Sequence, residues 1–389
     1  MMSHIPFKTI FLSIFISLIL FNYNKNNNNK ENLKKEMIQQ KKEMGLLEKY
    51  YQLCDNGILL NNRKFKKINN PKIYIISPIC NKEKYILRFL RSIQNQNFDD
   101  IEIILIDDYS KDNTVKLIEH YQEEDERIIL LKHNKNMGTL ISRNEGASMA
   151  KGDYIMFADP DDIISSDILD YVYKIIKTND YDIVRYNIYN GNDTLNLDFI
   201  VNNLRSKPIY QPELSLYIFY GLGELKQTDY FIWNKIIKRK TFMFALENVN
   251  KYYLNQYMID CEDGLMNFIL HKTAQTFYFT KKIGYYYIIN SESITILSKE
   301  KIKKRLKSNF LYLKFIFENT DDNKKEKSIA EYLFINIYNN FRIQIYRLLR
   351  ELKYDSVFYI DVIKLYLNCE YISIDTKIIL NKMKYMFST

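Results

Sequence analysis

Residues 72–112 read KIYIISPICNKEKYILRFLRSIQNQNFDDIEIILIDDYSKD. Two unbroken apolar runs, Ile73–Ser77 and Ile101–Ile106, flank a stretch, Glu83–Gln96, whose apolar residues recur at helical spacing. A strand buried on both faces reads as a continuous apolar run, as strands of a parallel sheet do. The alternation continues with a helix over Asp112–Glu124, a strand over Arg127–Lys132, a helix over Gly138–Lys151 and a strand over Tyr154–Ala158. This predicts an α/β fold: an open, twisted, mainly parallel sheet with helices on both faces. Ligands of such sheets bind beyond the carboxyl ends of the strands, so the polar residues there are the ones to weigh.

Those ends carry Ser77-Pro78-Ile79-Cys80-Asn81, Asp107-Asp108-Tyr109-Ser110 and Asp159-Pro160-Asp161-Asp162. Ser110 or Asp112 can cap the following helix, which is the plainer reading of that loop. Three aspartates in four residues cannot all be caps. Clustered carboxylates repel one another unless a cation neutralises them, and hard oxygen ligands suit Mg²⁺ or Mn²⁺. Such a site usually completes its shell with substrate phosphates and water. Neither GxGxxG nor GxxxxGK[ST] occurs, which excludes the dinucleotide-binding and P-loop classes and leaves a metal to hold phosphate.

Outward from this centre, the 389 residues carry a formal net charge of +9 that is unevenly placed. Asn22–Asn70 is +6, Pro71–Leu297 is −5 and Ser298–Thr389 is +7. An acidic centre disfavours a nucleic-acid groove, which needs local positive charge, so no nucleic-acid partner is expected. The 4 cysteines are far apart, with no zinc or disulfide spacing, and the 4 histidines form no cluster in the sequence.

The ends differ from the centre. Thr9–Phe21, TIFLSIFISLILF, is apolar and lacks small residues for cleavage, so it is expected to be an uncleaved single-pass signal anchor over residues 1–23. An Asn-rich stem follows over 24–70, with a short helix near Leu46–Leu60 packing on the domain. The catalytic domain is expected over 71–297. A helical extension follows over 298–389, with Arg342–Leu352 amphipathic. The lysines after the apolar run favour a cytoplasmic face, while the lone anchor and stem favour a Golgi or ER lumenal one, which is the preferred expectation.

The motifs in this order resemble the family 2 glycosyltransferases of GT-A fold. The matching pieces are Pro78-Ile-Cys-Asn81, Asp107-Asp108-Tyr109-Ser110-Lys111-Asp112, Gly138-Thr-Leu-Ile-Ser-Arg143-Asn144-Glu-Gly146, and Asp159-Pro160-Asp161 as the DxD motif. Weaker matches follow at Trp233-Asn234-Lys235, Cys261-Glu262-Asp263, Tyr285-Tyr-Tyr287 and Ser293-Ile-Thr295. The resemblance implies a nucleotide-sugar donor, typically a UDP-sugar, with Asp108 and Asp107 at the base and Pro78 and Asn81 lining the nucleotide pocket. It also implies that Asp161, with Asp159, binds Mn²⁺ or Mg²⁺. Arg143 is expected near the diphosphate or, equally, in a structural role. Asp263 is expected to be the general base, with Glu262 orienting it or raising its pKa; as residues opening a helix they would also suit its N-terminus. One base opposite a departing diphosphate implies inversion.

Three positions depart from the pattern. Tyr109 replaces a small residue and is expected to alter the base pocket, Cys80 replaces an aromatic, and Pro160 stiffens the DxD turn. The processive Gln-x-x-Arg-Trp motif is missing, so one sugar is expected to pass to a glycan, lipid or protein acceptor. The competing classes are a nucleotidyltransferase, whose Gly-rich basic first loop Ser77–Asn81 lacks, and an inactive sugar-nucleotide-binding scaffold.

Overall fold

The computed structural model describes residues 49–50, 52–54, 65–192, 198–199, 208–210, 231–258, 260–289 and 299–319. The apolar run at 9–21, most of the stem and Arg342–Leu352 lie outside them. Among the described residues no helix is long and apolar enough to cross a membrane.

The expected alternation is present. In chain order it runs β1 (Ile73–Ile79), α1 (Ile86–Gln94), β2 (Ile101–Asp107), α2 (Thr114–Glu124), β3 (Ile128–Lys132), α3 (Thr139–Met149) and β4 (Tyr154–Phe157). β1 pairs in parallel with β2 and β4, and β2 with β3. Every residue of β1 and β2 is buried. Side chains alternate across a strand, so Ile73, Ile75, Ile103 and Leu105 meet Ile86 and Phe89 of α1 on one face. Tyr74, Ile76, Ile104 and Ile106 meet Leu140 and Ala147 of α3 on the other. Gly146 lets α3 approach closely: a Cβ there would lie 2.4 Å from Ile76 Cγ2 and 2.8 Å from Ile106 Cδ1.

Beyond β4 parallel and antiparallel pairings mix. There follow β5 (Ile163–Ile164), α4 (Ile168–Asn179), β6 (Ile183–Asn192), β7 (Asp198–Phe199), β8 (Pro208–Tyr210), β9 (Lys235–Lys238), α5 (Arg239–Glu247), α6 (Lys251–Leu254), α7 (Glu262–Thr273), β10 (Thr276–Ile289) and α8 (Lys299–Asn319). The described strands make one sheet in the order β3-β2-β1-β4-β9-β6-β10-β5. β9 inserts antiparallel between β4 and β6, and β5 runs antiparallel to β10. The sheet is therefore mixed: β6 and β10 pair in parallel, while β9 runs antiparallel to both of its neighbours.

Two flanking pieces close the core. Leu311, Tyr312, Phe315 and Ile316 of α8 are buried, and the Phe315 ring meets Tyr253 at 5.0 Å and Phe268 at 5.7 Å. Before the domain, Tyr50 and Cys54 are buried, and the Tyr50 hydroxyl donates to the Ser92 carbonyl at 3.0 Å.

Candidate active site

A cleft of ≈ 710 Å³ opens at the carboxyl ends of β1, β2 and β4. Pro78, Asn81, Asp108, Arg143, Asp159, Asp161, Glu262 and Asp263 all line it. Asp107 does not. Its carboxylate accepts from the Ser110 N–H at 3.2 Å and stays within its own turn.

The loops after β1 and β2 fasten each other. The Asn81 N–H donates to Ser110 Oγ at 2.9 Å, and the Lys111 N–H donates to Asn81 Oδ1 at 2.7 Å. Asp112 accepts from the Thr114 N–H at 3.1 Å and from the Glu83 N–H at 3.2 Å. Asp112 thus opens α2, as the plainer reading had it, while Ser110 joins the two loops. Asp108 organises the segment before α3: its Oδ1 accepts from the Met137 N–H at 2.6 Å and its Oδ2 from the Gly138 N–H at 2.8 Å. Asn81, Tyr109, Gly138 and Cys261 all have left-handed backbone, with φ of 52°, 72°, 91° and 64°. Such residues cluster where the surrounding structure over-determines a site. Tyr109 follows Asp108 in this turn. Its left-handed φ swings the ring outward, where it is 41% exposed, lies outside the cleft lining and sits under the Lys111 ammonium.

The other side of the cleft centres on Arg143, which is 3% exposed. Its Nη2 donates to Asp159 at 2.9 Å, and its Nη1 to Glu262 at 3.3 Å and to Asp263. Burial works against its charge, but Asp263, Asp159 and Glu262 outweigh it and hold its pKa up. Glu262 and Asp263 form the first turn of α7, where the helix dipole favours carboxylates. Glu262 also accepts from Thr139 Oγ1 at 3.0 Å, and Asp263 Oδ2 from the Ile232 N–H at 3.4 Å. Burial first, then the charge of Asp263, lift Glu262 to about 7 against the pull of Arg143. Burial likewise lifts Asp159 to about 6, with Asp263 and Asp161 adding to it and Arg143 opposing.

The Asp159–Asp162 turn is braced on both sides. The Asp159 N–H donates to the Tyr285 hydroxyl at 2.8 Å, and Arg88 donates to the Asp161 carbonyl at 2.8 Å. Asp162 is buried and accepts from the Ile288 N–H at 2.8 Å; burial and its neighbours Asp161 and Asp159 push its pKa well up. Lys82 Nζ meets Asp161 at 2.7 Å. Six carboxylates, Asp108, Asp159, Asp161, Asp260, Glu262 and Asp263, line the cleft with four cations, Lys82, Arg143, Lys304 and Arg305. Among the described residues no three side chains converge as a ready-made metal cage. The fit to a hard cation rests on Asp159 and Asp161, two carboxylates beside surplus negative charge, which matches a site that takes only one or two protein ligands.

Sequence reasoning missed several lining residues. Lys82 follows the Pro-x-x-Asn turn directly, and its charge next to that motif was the available signal. Tyr257, Lys304 and Arg305 also line the cleft. Arg305 donates to Asp260 at 2.8 Å from α8, a helix with no motif to announce it. Trp233 stacks on Tyr285 at 4.7 Å and Tyr287 at 5.5 Å, so three of the weaker-matched aromatics form one wall.

Residues 74–242 match the family model described as glycosyl transferase family 2. Over that span, 169 of its 389 residues, the chain resembles this family. Glycosyltransferase GlyG of Streptococcus pneumoniae is 34% identical over 122 residues, 31% of this chain and 40% of that protein. The cholesterol galactosyltransferase of Borreliella burgdorferi is 25% identical over 290 residues, 69% of this chain and 75% of that one. The crystal structure of S. aureus TarS 1-349 superposes with a TM-score of 0.56 at 18% identity, over 76% of this chain and 80% of that chain. The shared fold, a mixed α/β sheet, fits GT-A. The chain spans under half the length of several curated family relatives, 40% of GlyG and 32% of GlyA from the same organism.

Proposed function

We propose that the protein is an inverting glycosyltransferase that moves one sugar from a nucleoside-diphosphate sugar, a UDP-sugar, to a hydroxyl of a glycan, lipid or protein acceptor. The observation that carries this reading is the meeting, in one cleft, of Asp108 from the second strand end, Asp159 and Asp161 from the fourth, and Glu262 and Asp263 from the start of α7. TarS, a neighbour in fold, has been solved with UDP and with UDP-GlcNAc, which supports uridine as the nucleoside.

In this reading Asp108 accepts from the base, and Pro78 and Asn81 shape its surroundings. Asp161, with Asp159, would hold Mn²⁺ or Mg²⁺, which supplies positive charge to a departing diphosphate. Asp263 takes the proton of the acceptor hydroxyl, a poor nucleophile that needs a base within reach. Arg143 fixes Asp263 and Glu262 relative to Asp159, and Glu262 carries a pKa close to neutral pH. Phe231, 40% exposed, offers the acceptor an apolar ring beside Trp233.

The test is to screen the full-length protein against UDP- and GDP-sugars with Mn²⁺. UDP release with a product of opposite anomeric configuration by NMR is expected, lost with EDTA and restored by Mn²⁺. Retention of configuration, or unchanged turnover in EDTA, would overturn the mechanism.

A further inference from the structure

His133 is isolated in the sequence, yet in the fold it links the cleft to the protein surface. Its Nδ1 lies 2.8 Å from Asp108 Oδ1 and its Nε2 lies 2.6 Å from Glu145 Oε2. A neutral imidazole has one N–H, so its second nitrogen would turn a lone pair on a carboxylate. Two carboxylates at these distances call for the imidazolium, donating from both nitrogens. Asp108 and Glu145 are the charged groups that act on it. Burial opposes its charge, but they outweigh burial and raise its pKa above the ordinary value. Without His133, Asp108 would be a carboxylate with 6% exposure that relies on backbone N–H groups alone. With it, Oδ1 accepts twice and Oδ2 once, which leaves Oδ2 one further accepting site.

We propose that His133, backed by Glu145, is a positioning residue of the nucleotide site: it holds Asp108 oriented to accept a ring N–H of the donor base. The proposal rests on the donor reading above. It has a consequence at a distance, because Glu145 is 44% exposed and does not line the cleft, yet it supports Asp108 through the imidazole. As pH rises through the raised pKa of His133, one nitrogen loses its proton, the link from Asp108 to Glu145 opens, and affinity for the base falls.

The experiment is calorimetric binding of UDP to the full-length protein from pH 6 to 8.5, with inorganic pyrophosphate, which lacks the base, as the reference. Wild type should lose UDP affinity relative to pyrophosphate as pH rises. His133→Gln should bind UDP about tenfold more weakly at pH 6, the scale of one charge-assisted hydrogen bond, with a flat profile and unchanged pyrophosphate binding. Glu145→Gln should match wild type at pH 6 and lose affinity at a lower pH. If His133→Gln fails to fold, the Glu145→Gln profile decides. A Glu145→Gln curve superimposed on wild type, or full UDP affinity in folded His133→Gln, overturns the proposal and leaves the donor reading intact. Failure of wild type to bind UDP overturns both.

Discussion

The nucleotide side and the carboxylate side of the cleft neutralise negative charge by different means. On the first, Asp107, Asp108 and Asp112 are met by backbone N–H groups at 2.6–3.3 Å, within turns the chain makes over a few residues or between neighbouring loops. On the second, Asp159, Glu262 and Asp263 share one buried guanidinium, with partners 16 to 120 positions apart. The first arrangement, with His133 also on Asp108, leaves one accepting site open on Asp108 Oδ2. The second keeps more carboxylates than cations and carries the raised pKa values, so it is the side prepared to exchange partners during a reaction.

The comparison breaks most sharply at Asp263. Asp263→Asn keeps the shape and removes the base, so transfer should fall by about 10²–10⁴-fold while UDP affinity holds. Transfer at the wild-type rate would show that the base lies elsewhere.

Next comes Arg143. Arg143→Met leaves three carboxylates without their shared cation, which should cost on the order of 3 kcal/mol in chemical denaturation. Arg143→Lys should rescue only part, because a point charge cannot serve three acceptors along a planar fork. An unchanged denaturation midpoint in Arg143→Met would mean that the carboxylates already hold protons enough to dispense with it.

These two sides also differ in how far the sequence reveals them. The first was legible: apolar runs followed at once by polar turns placed β1, β2 and β4 and their loops to within a residue or two. Local motifs suffice there because the partners are near in sequence or on adjacent strands. Of Asp107 and Asp108, only Asp108, just past the end of β2, lines the cleft, because the Asp107 carboxylate turns back onto the Ser110 N–H. The second side was legible only in part. Its acids could be picked out by type, but the convergence of three of them on Arg143 depends on how α3 and α7 pack, which periodicity does not encode. The antiparallel β9 and the cation–carboxylate pairs of Lys82 and Arg305 were hidden for the same reason, as was the role of His133.

A smaller effect tests the stored charge on the second side. Glu262 is lifted to about 7 from the ordinary glutamate value of 4.5. A carboxyl raised in this way binds its proton more tightly folded than unfolded, so its stabilisation is full below the unfolded value and is lost as pH rises through about 7. Asp159, at about 6, acts in the same direction. Stability should therefore decline from pH 5 to 8, and Glu262→Gln should flatten that decline by roughly 1–3 kcal/mol. A decline of equal slope in Glu262→Gln would assign the effect to Asp159 and Asp162 instead.

The smallest effect belongs to the first side, at Tyr109. Its φ of 72° is left-handed, a region in which a side chain costs about 1 kcal/mol and glycine costs little. Tyr109→Gly relieves that strain but gives up the solvent-screened contact between the ring and Lys111. The two terms oppose each other, so the denaturation midpoint should scarcely move. Lys111→Ala removes the contact and keeps the strain, and should destabilise slightly more than Tyr109→Gly does. Because the ring lies outside the cleft lining, UDP affinity should be the same in both variants as in wild type. A several-fold loss of UDP affinity in Tyr109→Gly alone would show that the left-handed turn, rather than the ring, holds Asp108 in place.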